Sequence, residues 1–284
     1  MWADILTSRE AEYCKQLLCE FDGVQWVRPL LNRIERAGGI RYESKPLLFE
    51  LRFAYELHRL GLEASYEYET GVGNSTVDFR VSKGGVEWLI ELVSLRTSDA
   101  VKDATYKEGP VSITELRSDA ADIRQSPEAA MIRAQEKIIE KVFVKDVGPI
   151  KFPSIQADRY HVIVCDTRGY LLNGGDQWDY RQIAYGHAGI PQSHPHRPFL
   201  VQYWTGKNGL REPIKGLFEE GNPTTGTQVL QDRMHYLGFV NEKEYKEGYI
   251  PNQSRYFANW HFFKRGEEEK IFNDHFPLQP SRNS

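Results

Sequence analysis

The stretch Val77-Asp-Phe-Arg-Val-Ser-Lys-Gly-Gly-Val-Glu-Trp-Leu-Ile-Glu-Leu-Val93 contains two segments in which apolar and polar residues alternate. A period of two residues is typical of β-strands that bury one face. The dipeptide Gly84-Gly85 between the segments suits a two-residue turn with positive φ at both central positions. We therefore predict an antiparallel hairpin in which Lys83 pairs with Val86 and each further pair lies one residue outward on both strands.

This register brings two acidic residues together. Asp78 falls directly opposite Glu91, while the neighbouring pairs are all apolar: Val77 with Leu92, Phe79 with Ile90, and Val81 with Trp88. Opposed residues have Cβ atoms about 4.5 to 5.5 Å apart, so two carboxylates there repel unless a cation binds between them. A hard divalent metal ion suits this pair of oxygen donors. The alternative is that both acids lie on a solvated face, where Arg80 neutralises them.

A third acid lies in the helix predicted over residues 44–60. Glu50 falls on the apolar arc of this helix, near Phe53 and Leu57, whereas the polar arc contains Arg52, Glu56 and Arg59. An unpaired carboxylate is costly on a buried face and is retained mostly when it is paired or binds metal. Glu50 is therefore a candidate ligand, and a surface or salt-bridged Glu50 is the alternative.

Composition excludes several classes of protein. The 284 residues are 40% hydrophobic, with 36 Lys and Arg against 40 Asp and Glu, which is ordinary globular composition with a net charge of -4. Bulk charge therefore does not favour polyanion binding, and nucleic-acid contact requires a local basic stripe. Three cysteines without a nearby histidine partner indicate neither a disulfide framework nor a zinc site. No membrane span or secretion signal is evident, so we expect a cytoplasmic protein.

The order of elements extends this picture. A polar stretch from Thr97 to Ser126, predicted to be a loop or mobile insertion, precedes a helix that starts at Pro127 and runs to about Lys145. The apolar run 160–165 then predicts a strand buried on both faces. This αβββαβ order, with Glu50, Val77-Asp78 and Glu91-Leu92-Val93, resembles the core of the PD-(D/E)XK nuclease superfamily over about residues 46–166.

The resemblance implies an α/β restriction-endonuclease-like fold with a mixed sheet. It divides the chain into a helical N-terminal extension (1–45), a nuclease-like core (46–170) and a C-terminal α+β elaboration (171–284). It further implies a Mg²⁺- or Mn²⁺-dependent endonuclease that hydrolyses phosphodiester bonds, preferably in DNA, by a metal-activated water. Asp78 and Glu91 would bind the metal, the Leu92 carbonyl would add a ligand, and Glu50 would act directly or through water. A homodimer is expected, because one such site cuts one strand.

Two positions depart from the motif of this superfamily. Val77 replaces a proline, which mainly affects backbone shape, and Val93 replaces the lysine that orients the attacking water and stabilises developing charge. Some members of the superfamily supply a Gln or Lys from the following helix, which makes Gln135 and Lys141 catalytic candidates. Otherwise Gln135 binds a backbone group, and the helix has a solvated stripe that also suits a phosphate backbone: Arg133, Lys137, Lys141 and Lys145. The alternative function is a catalytically inactive nuclease-like module that binds nucleic acid or protein.

Overall fold

The computed structural model describes residues 6–96, 99–108, 111–115, 123–171, 174–205, 209–264 and 266–279. The α-helices are α1 (Ser8–Glu20), α2 (Arg28–Arg36), α3 (Lys45–Arg59), α4 (Asp99–Asp103), α5 (Pro127–Ile139), α6 (Gln177–Tyr185), α7 (Arg197–Leu200), α8 (Thr227–Arg233), α9 (Tyr249–Gln253) and α10 (Glu267–His275). Short 3-10 helices occur at Tyr42–Ser44, Ile123–Gln125, Gly186–Gly189 and Trp260–Phe262.

The strands are β1 (Ala64–Glu69), β2 (Thr76–Lys83), β3 (Val86–Ser94), β4 (Thr105–Glu108), β5 (Val111–Thr114), β6 (Phe143–Val144), β7 (Gly148–Pro149), β8 (Arg159–Asp166), β9 (Tyr203–Thr205), β10 (Arg211–Pro213), β11 (Tyr236–Val240) and β12 (Ser254–Ala258). Six of them form one sheet in the order β1-β2-β3-β8-β11-β12. Strands β3, β8 and β11 are parallel, whereas β1, β2 and β12 run antiparallel to their neighbours. The prediction of an α/β fold with a mixed sheet is therefore confirmed.

Both faces of this sheet are covered by helices. One apolar cluster joins α1, α2, α3 and α10 to the face that contains Phe79, Trp88 and Ile90. The other joins α5, α6 and α8 to the face that contains Leu89 and Val93. Strands β11 and β12 extend the same sheet, so the predicted core and C-terminal elaboration share it. No helix in the described ranges is long and apolar enough to cross a membrane.

The hairpin of β2 and β3 has the predicted register from Lys83–Val86 to Phe79–Ile90. The ladder stops before Asp78, which is also missing from the ladder with β1, where the opposite residue Glu67 has φ of 50°. Val77 lies in the cluster on one face of the sheet and Phe79 in the cluster on the other. The prediction that Val77 and Phe79 share an apolar face is therefore wrong. The alternation of side chains between the two faces of β2 is interrupted at Asp78, so that Val77 and Phe79 lie on opposite faces.

The segment before α5 is more regular than predicted. Its described part contains α4, the hairpin of β4 and β5, and the 3-10 helix Ile123–Gln125, rather than loop alone. Residues 97–98, 109–110 and 116–122 of the predicted loop lie outside the described residues.

Helix α5 begins as predicted but is shorter. The Ser126 hydroxyl accepts a hydrogen bond from the Ala129 amide at 3.1 Å, which caps the first turn. The helix ends at Ile139, not near Lys145, because the following residues pair as β6 and β7 around a turn with positive φ at Asp146 and Gly148. Lys141 therefore lies in the turn that follows the helix.

Candidate active site

The structure brings the three predicted acids into one electrostatic neighbourhood. Glu50 is buried in α3, Asp78 is half-buried where β2 changes face, and Glu91 is fully buried in β3. The charges of Glu50 and Glu91 both act on Asp78. Among the described residues, no group of three His, Cys, Asp or Glu side chains is arranged as a ready metal site.

Asp78 lies in surroundings that disfavour its charged form. Burial, followed by the charges of Glu91 and Glu50, raises the pKa of Asp78 well above its usual range. Lys141 and the Leu92 amide oppose this shift, and that amide donates a hydrogen bond to Asp78 Oδ2 at 2.6 Å. The ionised form of Asp78 is therefore costly unless a further cation stabilises it.

The two carboxylate oxygens of Glu91 have different surroundings. Its Oε1 accepts from the ammonium groups of Lys141 and Lys151, each at 2.8 Å. Its Oε2 is buried and has no hydrogen-bond partner in the described structure. A buried carboxylate oxygen without a partner is costly, so Oε2 is the atom of this side chain that remains available to a ligand.

Lys141 is coupled to the same acids. Burial lowers the pKa of its ammonium, but the charges of Glu91, Asp78 and Glu50 outweigh burial and raise that pKa. Lys141 is therefore held in its charged form. The side chain is 31% exposed, so it joins the buried carboxylate to the solvent side of the site.

Glu50 is held from the other side by a tyrosine and an arginine. The hydroxyl of Tyr66 donates to Glu50 Oε2 at 2.5 Å, and Arg33 Nη1 lies 3.6 Å from the same oxygen while it also binds Tyr66. Burial raises the pKa of Glu50, against the opposing effect of Tyr66 and Arg33. Glu50 is thus salt-bridged, as one alternative required, while it remains close enough to interact with Glu91.

Two other residues considered from the sequence have different partners. The Gln135 amide donates to the backbone carbonyls of Lys215 at 2.7 Å and Ile183 at 3.4 Å, so this buried polar group satisfies backbone acceptors and does not join the acids. Arg80 binds Glu87 rather than Asp78. The prediction of Gln135 in the site is therefore corrected, since its donors are occupied by α6 and the chain near Lys215.

Three residues around the acids were missed by the sequence analysis. Lys151 lies in a loop with φ of 61°, where its amide donates to Ser75 Oγ at 2.7 Å, and no periodic pattern marks it. Tyr66 and Arg33 hold Glu50. The alternation of aromatic and acidic residues in Ala64-Ser-Tyr-Glu-Tyr-Glu69 was a usable signal for Tyr66, because a buried tyrosine hydroxyl generally requires a partner.

The donor set fits a divalent metal of the magnesium type. Mg²⁺ keeps several water ligands and is usually bound through one or two carboxylates, so it does not require three preassembled side chains. Asp78 and the free Oε2 of Glu91 would hold it, with the Leu92 carbonyl as a further oxygen donor and Glu50 acting through water. Comparisons with protein-family models, with curated proteins and with solved structures found no match to this chain.

Proposed function

We propose that this chain is a metal-dependent endonuclease with a restriction-endonuclease-like core, which hydrolyses phosphodiester bonds in DNA. The single observation that carries the proposal is the environment of the Glu91 carboxylate. This side chain is fully buried, beside Asp78, with lysines on one carboxylate oxygen and, among the residues that the structure describes, no partner on the other. Buried acids whose pKa values are shifted by burial and by neighbouring charges cluster at functional sites, which supports this proposal.

The order of elements supports the same proposal. Helix α3 is followed by β1, β2 and β3, and later by α5 and β8; the short elements α4, β4, β5, β6 and β7 are inserted into this αβββαβ order of the resemblance. Asp78 and Glu91 lie on neighbouring strands, and the end of α5 places Lys141 beside them. The acids therefore come from the elements that the resemblance assigns to them, whereas the cation comes from the turn that follows the assigned helix.

Lys141 compensates for the valine at position 93. Val93 is buried in the apolar cluster that includes α5 and provides no cation. The Lys141 ammonium instead contacts Glu91. From this position it can reorient towards a phosphate oxygen and stabilise the negative charge that develops as water attacks. Lys151 keeps Glu91 neutralised while Lys141 contacts the substrate. A divalent metal held by Asp78 and Glu91 would supply Lewis acidity and would lower the pKa of a water molecule.

Incubation of plasmid DNA with Mg²⁺ or Mn²⁺ tests the proposal. Wild-type protein should nick or linearise the DNA, whereas Asp78→Asn and Glu91→Gln should abolish cleavage. The matched control is Glu69→Gln, since Glu69 is an exposed acid of the same sheet and should leave cleavage unchanged. Equal cleavage by wild type and Glu91→Gln would contradict the proposal.

The second candidate function is a nuclease-like module that binds nucleic acid or protein without chemistry. It is favoured by the ion pairs that already neutralise Glu91 Oε1. The two functions differ in metal binding. A protein that binds DNA with equal affinity with and without Mn²⁺, and does not cleave it, would support this second function.

A homodimer is part of the endonuclease proposal, because cleavage of both strands generally uses two copies of such a site. Light scattering of the complex with a DNA duplex should give the mass of two chains plus that of the duplex. A single copy both with and without DNA would remove this part of the proposal.

A further inference from the structure

A cavity of about 510 Å³ lies at the end of β3, the strand that contains Glu91. It is bounded by the end of β3, by one side of α5 and by residues 169–171. Ser94 is three residues beyond Glu91, which corresponds to about 10 Å along an extended strand. The size of the cavity falls within the range of about 300 to 1,000 Å³ that is usual for small-molecule sites.

The inner wall of the cavity is apolar, and two unsatisfied hydroxyl groups of its residues lie just behind the surface. Leu95, Ala130 and Ala134 provide apolar surface. The hydroxyls of Ser94 and Tyr170 are buried and have no hydrogen-bond partner in the described structure, and Tyr170 is only 4% exposed. Such groups are costly unless a ligand satisfies them. A flat, largely apolar ligand with polar edge atoms suits this wall.

The outer part of the cavity is cationic. Arg96, Lys102, Arg133 and Lys137 line it, with Asp99 as the one acid among the lining residues that the structure describes. Arg133 and Lys137 are one helical turn apart on α5, and Lys141 follows at the same spacing. Lys141 itself lies in the turn after α5, so the cations of the cavity and the ion pair on Glu91 belong to adjacent parts of the chain.

We propose that the cavity holds the base of one nucleotide that lies next to the scissile phosphodiester, with the phosphate of that nucleotide on Arg133 and Lys137. This inference rests on the proposed endonuclease function and adds a nucleotide-binding site to it. An apolar wall with two hydroxyls matches the faces and edges of a base taken out of the stack. The cationic rim matches the phosphate, and together they distinguish a nucleotide from a simple anion.

Calorimetry without metal tests the site with two kinds of probe. The four deoxynucleoside 5′-monophosphates are titrated individually, and inorganic phosphate is titrated as the anion control. At least one nucleotide should bind about tenfold more tightly than phosphate, the ratio expected when one or two buried hydroxyls gain partners. Equal affinity for all five probes would show a plain anion site and overturn the inference.

Variants separate the base from the phosphate. Tyr170→Phe and Ser94→Ala remove only the hydroxyl groups, so each should weaken nucleotide binding by several fold without changing phosphate binding. Lys137→Met should weaken both. Melting curves verify that the variants fold. Unchanged nucleotide affinity in both hydroxyl variants would place the base elsewhere and contradict the inference.

Glu91→Gln distinguishes this inference from the endonuclease proposal. The variant should not cleave but should bind the mononucleotide as wild type does, because Glu91 does not line the cavity. In this background a single-stranded oligonucleotide should displace the mononucleotide. Failure to displace it would identify a free nucleotide as the ligand and overturn the inference. A wild type that binds nucleotides but never cleaves DNA would overturn only the endonuclease proposal.

Discussion

The ammonium of Lys141 lies 2.8 Å from Oε1 of Glu91, although the two residues are fifty positions apart in the chain. Glu91 is fully buried, whereas Lys141 keeps contact with solvent. This ion pair joins the turn after α5 to the middle of the sheet. It also places a cation where Val93 provides none.

Replacement of Lys141 by methionine tests the role of this cation. Methionine keeps much of the apolar stem but removes the charge. We expect Lys141→Met to lower turnover by about 10²-fold or more, the scale of losing one group that stabilises the transition state. Mn²⁺ affinity should remain nearly intact, because Lys141 is not a metal ligand.

Lys137→Met is the matched control for that experiment. Lys137 is exposed and binds Glu140 at 2.6 Å. Its loss should mainly weaken salt-dependent DNA binding, with a smaller effect on turnover. Normal cleavage by Lys141→Met together with no cleavage by Lys137→Met would exchange the roles assigned to these two lysines.

The two lysines on Glu91 should act as one unit in stability. Either Lys141→Met or Lys151→Met leaves one cation on the buried carboxylate. The double variant leaves it unpaired, and we expect a loss of about 3–5 kcal/mol in the free energy of unfolding, more than the two single losses together. Urea denaturation without metal measures this effect.

Glu91→Gln provides the control for the double variant. If the loss comes from an unpaired carboxylate, this third substitution should restore most of the stability. A triple variant as unstable as the double one would show that the lysines act through packing rather than through charge.

Asp78 predicts a pH dependence of stability. Because the pKa of Asp78 is raised in the folded chain, its ionisation opposes folding. This cost is absent below the ordinary aspartate pKa of about 4, grows as pH rises above it, and is complete above the raised value. Asp78→Asn should therefore raise the melting temperature of the metal-free protein at neutral pH, and the gain should disappear below about pH 4.

Metal should reverse the order of stability of wild type and Asp78→Asn. Saturating Mn²⁺ is expected to stabilise wild type and not Asp78→Asn, since only the folded wild type binds it. Melting curves from pH 3 to 8, with and without Mn²⁺, measure both effects, and Glu69→Gln is the control. A wild type that is more stable than Asp78→Asn at neutral pH without metal would contradict the assigned electrostatics.

The hydrogen bond from the Tyr66 hydroxyl is expected to stabilise the buried Glu50 carboxylate. Tyr66→Phe removes the donor to Glu50 Oε2 and leaves the ring packed against Phe79. The buried carboxylate then depends on Arg33, so we expect a loss of about 1–3 kcal/mol in the free energy of unfolding. Tyr68→Phe is the control on the same strand. Equal stability of the two variants would show that Tyr66 does not hold Glu50.

The hairpin shows how far the sequence determines the fold. Alternation and the Gly84-Gly85 turn predicted the strand pairing correctly from the pair Lys83–Val86 to the pair Phe79–Ile90. The change of face at Asp78 was not predictable from β2 alone, because it coincides with the positive φ of Glu67 on the neighbouring strand. The position of the acid therefore depends on a tertiary contact between strands.

Of the two lysines that contact Glu91, the sequence indicated one and not the other. Helical periodicity pointed to Lys141, and its contact with Glu91 is seen in the structure even though α5 ends at Ile139. Lys151 was invisible to periodicity, because it lies in an irregular loop. Gln135 gave a true signal of a buried polar group, but the same signal arises when a side chain binds backbone carbonyls.

Titration of Mn²⁺ into the metal-free protein by calorimetry tests the central claim, that Asp78 and Glu91 form a divalent metal site. Wild type and Glu69→Gln should each show saturable binding, whereas Asp78→Ala and Glu91→Gln should lose it. Affinity in wild type should also rise with pH, because metal competes with the proton on Asp78. Absence of binding to wild type, or equal binding to Asp78→Ala, would contradict the claim.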